Sequence, residues 1–80
     1  MAIAHDSILV QIFSQRLKSL REASGLSQED LASRSGLDRT YISGCERGIR
    51  NPTLVSVERL AGALQVKPAA MLEGEGGEVG

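Results

Sequence analysis

Ser27-Gln28-Glu29-Asp30-Leu31-Ala32-Ser33-Arg34-Ser35-Gly36-Leu37-Asp38-Arg39-Thr40-Tyr41-Ile42-Ser43-Gly44-Cys45-Glu46-Arg47 is the stretch on which the fold turns. Ser27 can accept from the backbone N–H three residues on, and Asp30 answers as the acidic half of a capping box, so a helix starts there. Leu31 and Ala32 are its inward positions. Gly36 stops it and Leu37 is the apolar residue of the turn. Asp38 then caps a second helix, with Ile42 and Cys45 facing inward and Gly48 beyond its end. Two short helices, residues 27–35 and 38–47, are thus joined by a tight glycine turn.

The flanks extend the same pattern. Over residues 8–23, Leu9, Phe13, Leu17 and Leu20 recur at the helical period and make one apolar stripe. Gly25 sits where a left-handed cap ends such a helix, and Leu26 follows as a plug. On the other side, Asn51-Pro52-Thr53 breaks the chain, and Thr53 caps a helix running to Leu64 with Leu54, Val57, Leu60, Ala61 and Leu64 in register. Lys67-Pro68 opens a short fifth helix containing Ala69, Met71 and Leu72. No alternating run of strand length and no internal repeat occurs. The expected architecture is all-α, a compact five-helix domain over residues 8–73, preceded by a flexible segment 1–7 and followed by a disordered, acidic, glycine-rich tail 74–80.

Composition limits what such a domain can be. The chain has 80 residues, one Phe, one Tyr, no Trp and one Cys. An aliphatic core at this length is marginal, and a second copy would relieve it. A homodimer is expected, with Leu54, Val55, Val66, Met71 and Leu72 as the apolar residues left over for its interface. A lone cysteine rules out an internal disulfide, and no stretch is apolar enough to span a bilayer. The opening residues carry His5 and Asp6 and no basic run, so no signal peptide is expected and a cytoplasmic setting follows. The net charge of −1 conceals an uneven distribution: residues 8–67 hold all nine basic side chains against six acids, a net of +3. The body is basic and the tail acidic.

Two short helices at this spacing form a helix-turn-helix, whose second helix enters the major groove of double-stranded DNA. Arg39 suits a bidentate bond to guanine, and Thr40 and Ser43 offer short hydroxyls to base edges. Gly44 keeps the helix slim against the groove floor. Gln28, at the start of the first helix, faces a phosphate together with that helix's N-terminal N–H groups. Arg47, Arg50 and Asn51 are placed to grip the backbone. Tyr41 is open between gripping the backbone and packing beneath the helix.

These motifs, Gly25 to Ala32, Gly36-Leu37-Asp38-Arg39-Thr40-Tyr41-Ile42-Ser43, Glu46-Arg47-Gly48 and Asn51-Pro52-Thr53, resemble the lambda Cro/CI-type (XRE) helix-turn-helix family over roughly residues 12–73. The recognition helix is especially similar to that of restriction–modification controller proteins, and also occurs in small phage repressors. The resemblance implies a five-helix domain, a homodimer on a pseudo-palindromic operator, and a role as repressor or autoregulator. It gives Gln28 the family's phosphate contact and Arg39, Thr40 and Ser43 its base-reading positions. It further implies a structural ion pair between Arg21 and Glu46. Cys45 departs from the pattern, where an aliphatic residue is usual.

Other classes find less support. One histidine and one unpaired cysteine cannot assemble a catalytic or metal site, so neither enzyme activity nor a cofactor is expected, and no small-molecule ligand is evident. Two aromatics give no stacking platform for single-stranded nucleic acid. Cys45 invites a redox role, yet a buried free cysteine behaves as a small hydrophobe. Glu29 and Asp30 form an acidic patch that raises RNA polymerase as a further partner, although capping explains both residues. The alternative, an antitoxin-like interaction module with secondary DNA binding, would have to rest on the tail, which has one apolar side chain.

Overall fold

The computed structural model describes residues 7–74. Four α-helices follow in order, α1 (Ile8–Ala23), α2 (Gln28–Ser35), α3 (Arg39–Glu46) and α4 (Leu54–Leu64), and a 3-10 turn, Pro68–Met71, closes the described chain. Among the described residues there is no strand, and no helix is long and apolar enough to cross a membrane. The expected segments 1–7 and 74–80 lie outside the described residues except for Ser7 and Gly74.

Each helix starts on a side-chain cap. Ser7, Ser27, Asp38 and Thr53 accept from the backbone N–H of Val10, Asp30, Thr40 and Ser56 respectively, satisfying donors that have no partner inside the helix. At Ser27 the box is complete, because the Asp30 carboxylate accepts from the Ser27 N–H at 3.0 Å. That bond holds the Asp30 carboxyl below the ordinary carboxylate range. The helix ends are equally local. Gly48 takes the left-handed conformation (φ +75), its N–H donates to Cys45 C=O, and Ile49 N–H donates to Gly44 C=O. This paired pattern satisfies the last carbonyls of α3 and turns the chain sharply away. The same pattern closes α1 at Gly25 and Leu26, and α4 at Gln65 and Val66.

The core lies where α1, α2, α3 and α4 converge, and comprises Phe13, Leu17, Leu31, Ile42, Cys45, Val57, Leu60, Ala61, Leu64 and Met71. Two expectations change here. The fifth helix is a single 3-10 turn: Pro68–Met71 spans four residues, and the Ala70 and Leu72 N–H groups donate to Lys67 and Ala69 C=O three residues back, too short a run to establish an α-helical ladder. The turn is nonetheless docked, because Arg16 Nε donates to Ala70 C=O at 3.0 Å and Met71 fills the core. On α1 the buried face is Val10, Phe13, Ser14 and Leu17, while Leu9 is exposed, so the stripe begins one position later than its leucines suggest.

Candidate nucleic-acid interface

α2 and α3 meet across a turn in which Gly36 adopts φ +76 and Leu37 N–H donates to Ser35 Oγ. Leu37 is partly buried against the core, which fixes the angle between the two helices. Asp38 caps α3 by accepting from Thr40 N–H at 2.9 Å, leaving Arg39 and Thr40 exposed on the first turn. Ser43 follows one turn later, half-buried, and Gly44 is buried. Ile42 and Cys45, both at 0 % exposure, seat the opposite face of the helix in the core. A rigid helix therefore carries a short polar face outward.

Behind that face runs a polar chain. Arg21 of α1 donates to both oxygens of Glu46, Nε to Oε2 at 2.6 Å and Nη2 to Oε1 at 3.0 Å, and its Nη1 donates to Leu26 C=O at 2.8 Å. The hydrogen bond to Glu46 is the main reason the Arg21 pKa lies above its ordinary value. Glu46 Oε1 also accepts from Gln28 Nε2 at 3.1 Å, and Gln28 Oε1 accepts from Arg39 Nη1 at 3.4 Å. The pair that the resemblance implied, Arg21 and Glu46, thus lies within a chain that reaches the exposed Arg39 through Gln28. The Gln28 amide is engaged inside the protein here. Arg21, Ser27, Gln28, Glu29 and Arg39 together line an open recess at the N-terminus of α2. The recess thus gathers the Arg39 guanidinium, the Glu46-paired Arg21 guanidinium and the Glu29 carboxylate beside a helix N-terminus.

The loop from α3 to α4 carries Arg47, Arg50 and Asn51, all exposed. Tyr41, which the sequence left open, is half-buried, and its hydroxyl donates to Ser56 Oγ at 3.2 Å. The Thr53 hydroxyl donates to the same oxygen at 3.1 Å. Tyr41 therefore links α3 to α4 through its hydroxyl in this structure. Ser56 escaped the sequence reading because a serine one turn inside a helix carries no local signal of its partner. Among the expected interface residues, Leu54 and Val55 are exposed at 83 % and 58 %, whereas Met71 is at 0 %. Met71 is removed from that set, since its side chain already belongs to this chain's own core. Val66 and Leu72 are partly buried against the same core.

Cys45 lies inside that core, and burial pushes its thiol above the usual range, against weaker opposing pulls from Tyr41 and Arg50. Such a thiol is a poor nucleophile. Alkylation by iodoacetamide is expected to wait on unfolding, with a rate that climbs through the urea transition. Fast stoichiometric labelling in native buffer would show the thiol to be reachable.

Residues 17–71 match the profile of a family described as helix-turn-helix. The chain belongs to this family, in its XRE-type branch. Among the relatives of this helix-turn-helix chain is the control protein C.BamHI of Bacillus amyloliquefaciens, 43 % identical over 63 residues, a match covering 78 % of each chain. The fold is similar to that of the restriction–modification controller protein C.AhdI from Aeromonas hydrophila, with a TM-score of 0.76 and 53 % identity, covering 78 % of this chain and 94 % of that one. It is also similar to C.Esp1396I, a restriction–modification controller protein whose structure shows a tetramer in complex with its natural 35-base-pair operator. That match has a TM-score of 0.76 and 45 % identity over 81 % of this chain and 86 % of that one.

Proposed function

We propose that this chain is a sequence-specific double-stranded-DNA-binding regulator of transcription, acting as a cytoplasmic homodimer on a pseudo-palindromic operator in the manner of restriction–modification controllers and phage repressors. The observation that carries this is the outward face of α3. Arg39 and Thr40 stand exposed at its capped N-terminus, with Ser43 one turn on, while the opposite face is seated in the core and braced by the Arg21–Glu46 pair. In this reading Arg39, Thr40 and Ser43 meet base edges. The recess at the N-terminus of α2 takes one phosphate, and Arg47, Arg50 and Asn51 hold the backbone beyond. That C.Esp1396I is seen with its operator supports the assignment. Any contact to RNA polymerase would fall to the exposed Glu29, because the Asp30 carboxylate is engaged by Ser27.

In this reading the dimer forms across an apolar surface. Leu9, Val10, Phe13, Pro52, Leu54, Val57 and Leu72 surround a cavity of about 100 Å³. Leu9 and Leu54 on its rim are exposed at 53 % and 83 %, and Ile8 beside Leu9 at 75 %. A two-fold contact across this surface would let each copy cover the other's leucines and would set two recognition helices about one turn of DNA, roughly 34 Å, apart.

Selection of bound sites from random duplex DNA tests the function directly, a two-fold-symmetric site being the expected product. On that site Arg39→Ala is expected to lose about 1–3 kcal/mol and to relax preference at one base pair. Gel-shift titration against the site and against random DNA reads this out. Equal losses on both would remove Arg39 from base reading.

A further inference from the structure

We infer that Gly44 is a positioning residue for the DNA contact: the side chain it lacks leaves a slot across α3 in which Arg50 lies, fixing a guanidinium from the following loop onto the face of the recognition helix. The inference rests on the DNA-binding reading above. An ideal Cβ at residue 44 would stand 2.7 Å from Arg50 Cγ and 3.1 Å from its Nε. The first distance is shorter than atoms tolerate. It involves the stem of the arginine side chain, Cγ to Nε, rather than its far end, so an alanine methyl must move the stem and the guanidinium it carries. Helix propensity offers no reason for a glycine here, since alanine is the better residue within a helix.

Three further contacts build the slot. The C-terminal cap of α3 ties Ile49 N–H to Gly44 C=O at 3.1 Å, so the loop leaves the helix directly beside the glycine and Arg50 is aimed back along it. The Arg50 Cζ lies 5.9 Å from the centroid of the Tyr41 ring, within cation–π range. Tyr41 is itself held through Ser56 to Thr53, the cap of α4. The ring forms the platform and Gly44 the channel, and together they order an arginine that would otherwise sample many rotamers before meeting DNA. Ordering a long side chain beforehand lowers the entropy lost on binding.

The experiment is a double-mutant cycle on the selected duplex. Gly44→Ala is expected to melt at the same or a higher temperature than the parent and yet to bind about tenfold more weakly, the loss of one charge-assisted contact. Its salt dependence should be shallower by about one unit of slope. Arg50→Ala is expected to show the same loss, and Gly44→Ala added to Arg50→Ala to cost nothing more. In the free protein, the ring-current shift of the Arg50 Nε–H resonance should disappear in Gly44→Ala. The inference is overturned by parental affinity and slope in Gly44→Ala, by an unchanged Arg50 resonance, or by a full further loss in the Arg50→Ala background, which would mean that the methyl obstructs DNA itself. If the parent protein bound no selected duplex, the DNA-binding reading would fall and this inference with it. A parent that binds and a Gly44→Ala variant that matches it would bring down this inference alone.

Discussion

Arg21→Met is expected to destabilise the folded domain by about 3–5 kcal/mol, the usual cost of removing one member of a buried ion pair. The Arg21 and Glu46 side chains are only 12 % and 4 % exposed, so water reaching the recess replaces only part of what is lost. Methionine fills much the same volume but supplies none of the three donors. It leaves the Glu46 carboxylate with Gln28 as its remaining donor from this network, and Leu26 C=O without the donor that arginine gave it. For a domain of this size each kcal/mol moves the melting temperature by about 4–8 °C, so a fall of more than about ten degrees is expected by circular dichroism. The double variant Arg21→Met/Glu46→Leu should recover most of the loss, because a buried pair replaced by apolar groups is often neutral. That double variant separates stability from function. It should fold, yet bind its operator more weakly, because Gln28 has lost the carboxylate that orients it beside Arg39. A loss below about 1 kcal/mol in Arg21→Met would mean that the pair behaves as a solvated one.

The helix ends were legible in the sequence because caps are local. Ser27 and Asp30, Asp38, Thr53 and the glycines at 36 and 48 act through hydrogen bonds spanning two to five residues, and all sit where the sequence put them. The inward residues of α2 and α3 were legible for a similar reason: a short capped helix has few ways to present Leu31 or Ile42. The longer α1 was not so constrained. Leu9 and Val10 are adjacent and similarly apolar, and only the placement of α4 and the closing turn decides that Val10 is covered and Leu9 is not. The end of the domain was misjudged on the same grounds. Met71 and Leu72 are neighbours, and only the docking of the closing turn on α1 and α4, with Arg16 Nε bonded to Ala70 C=O across 54 residues, decides that the methionine is the one covered.

Within the candidate site the division is between composition and geometry. That Arg39, Thr40 and Ser43 share a polar face follows from helical spacing. The Arg21–Glu46 pair entered only through resemblance, since nothing local links residues 25 apart. The Tyr41, Ser56 and Thr53 cluster and the path of Arg50 over Gly44 were invisible. A glycine in a sequence marks missing volume, and what occupies that volume depends on where a later loop returns.

Leu54→Glu is expected to leave the monomer folded and to abolish the dimer. At 83 % exposure Leu54 adds almost nothing to the core of its own chain, and such surface substitutions usually change stability by less than about 0.5 kcal/mol. Position 54 is also the first residue of α4 after its Thr53 cap, where a carboxylate is favoured by the helix dipole. Local structure therefore gains if anything. Across a two-fold axis the effect reverses: each copy would bring a charge to the apolar cavity rimmed by Leu9, Pro52 and Leu72 on the other, with no basic residue among those lining it. Burying an unpaired charge there is prohibitive. Sedimentation should show a monomer at concentrations where the parent is a dimer. Affinity for a two-half-site operator should fall by about 10²–10⁴, the contribution of linking two sites in one particle. Binding to an isolated half-site should be unchanged, since the outward face of α3 is untouched. That contrast distinguishes a lost dimer from a damaged recognition helix. A Leu54→Glu protein that still sediments as a dimer would place the interface elsewhere on the surface, and equal losses on whole and half operators would mean that α4 contributes to DNA contact in its own right.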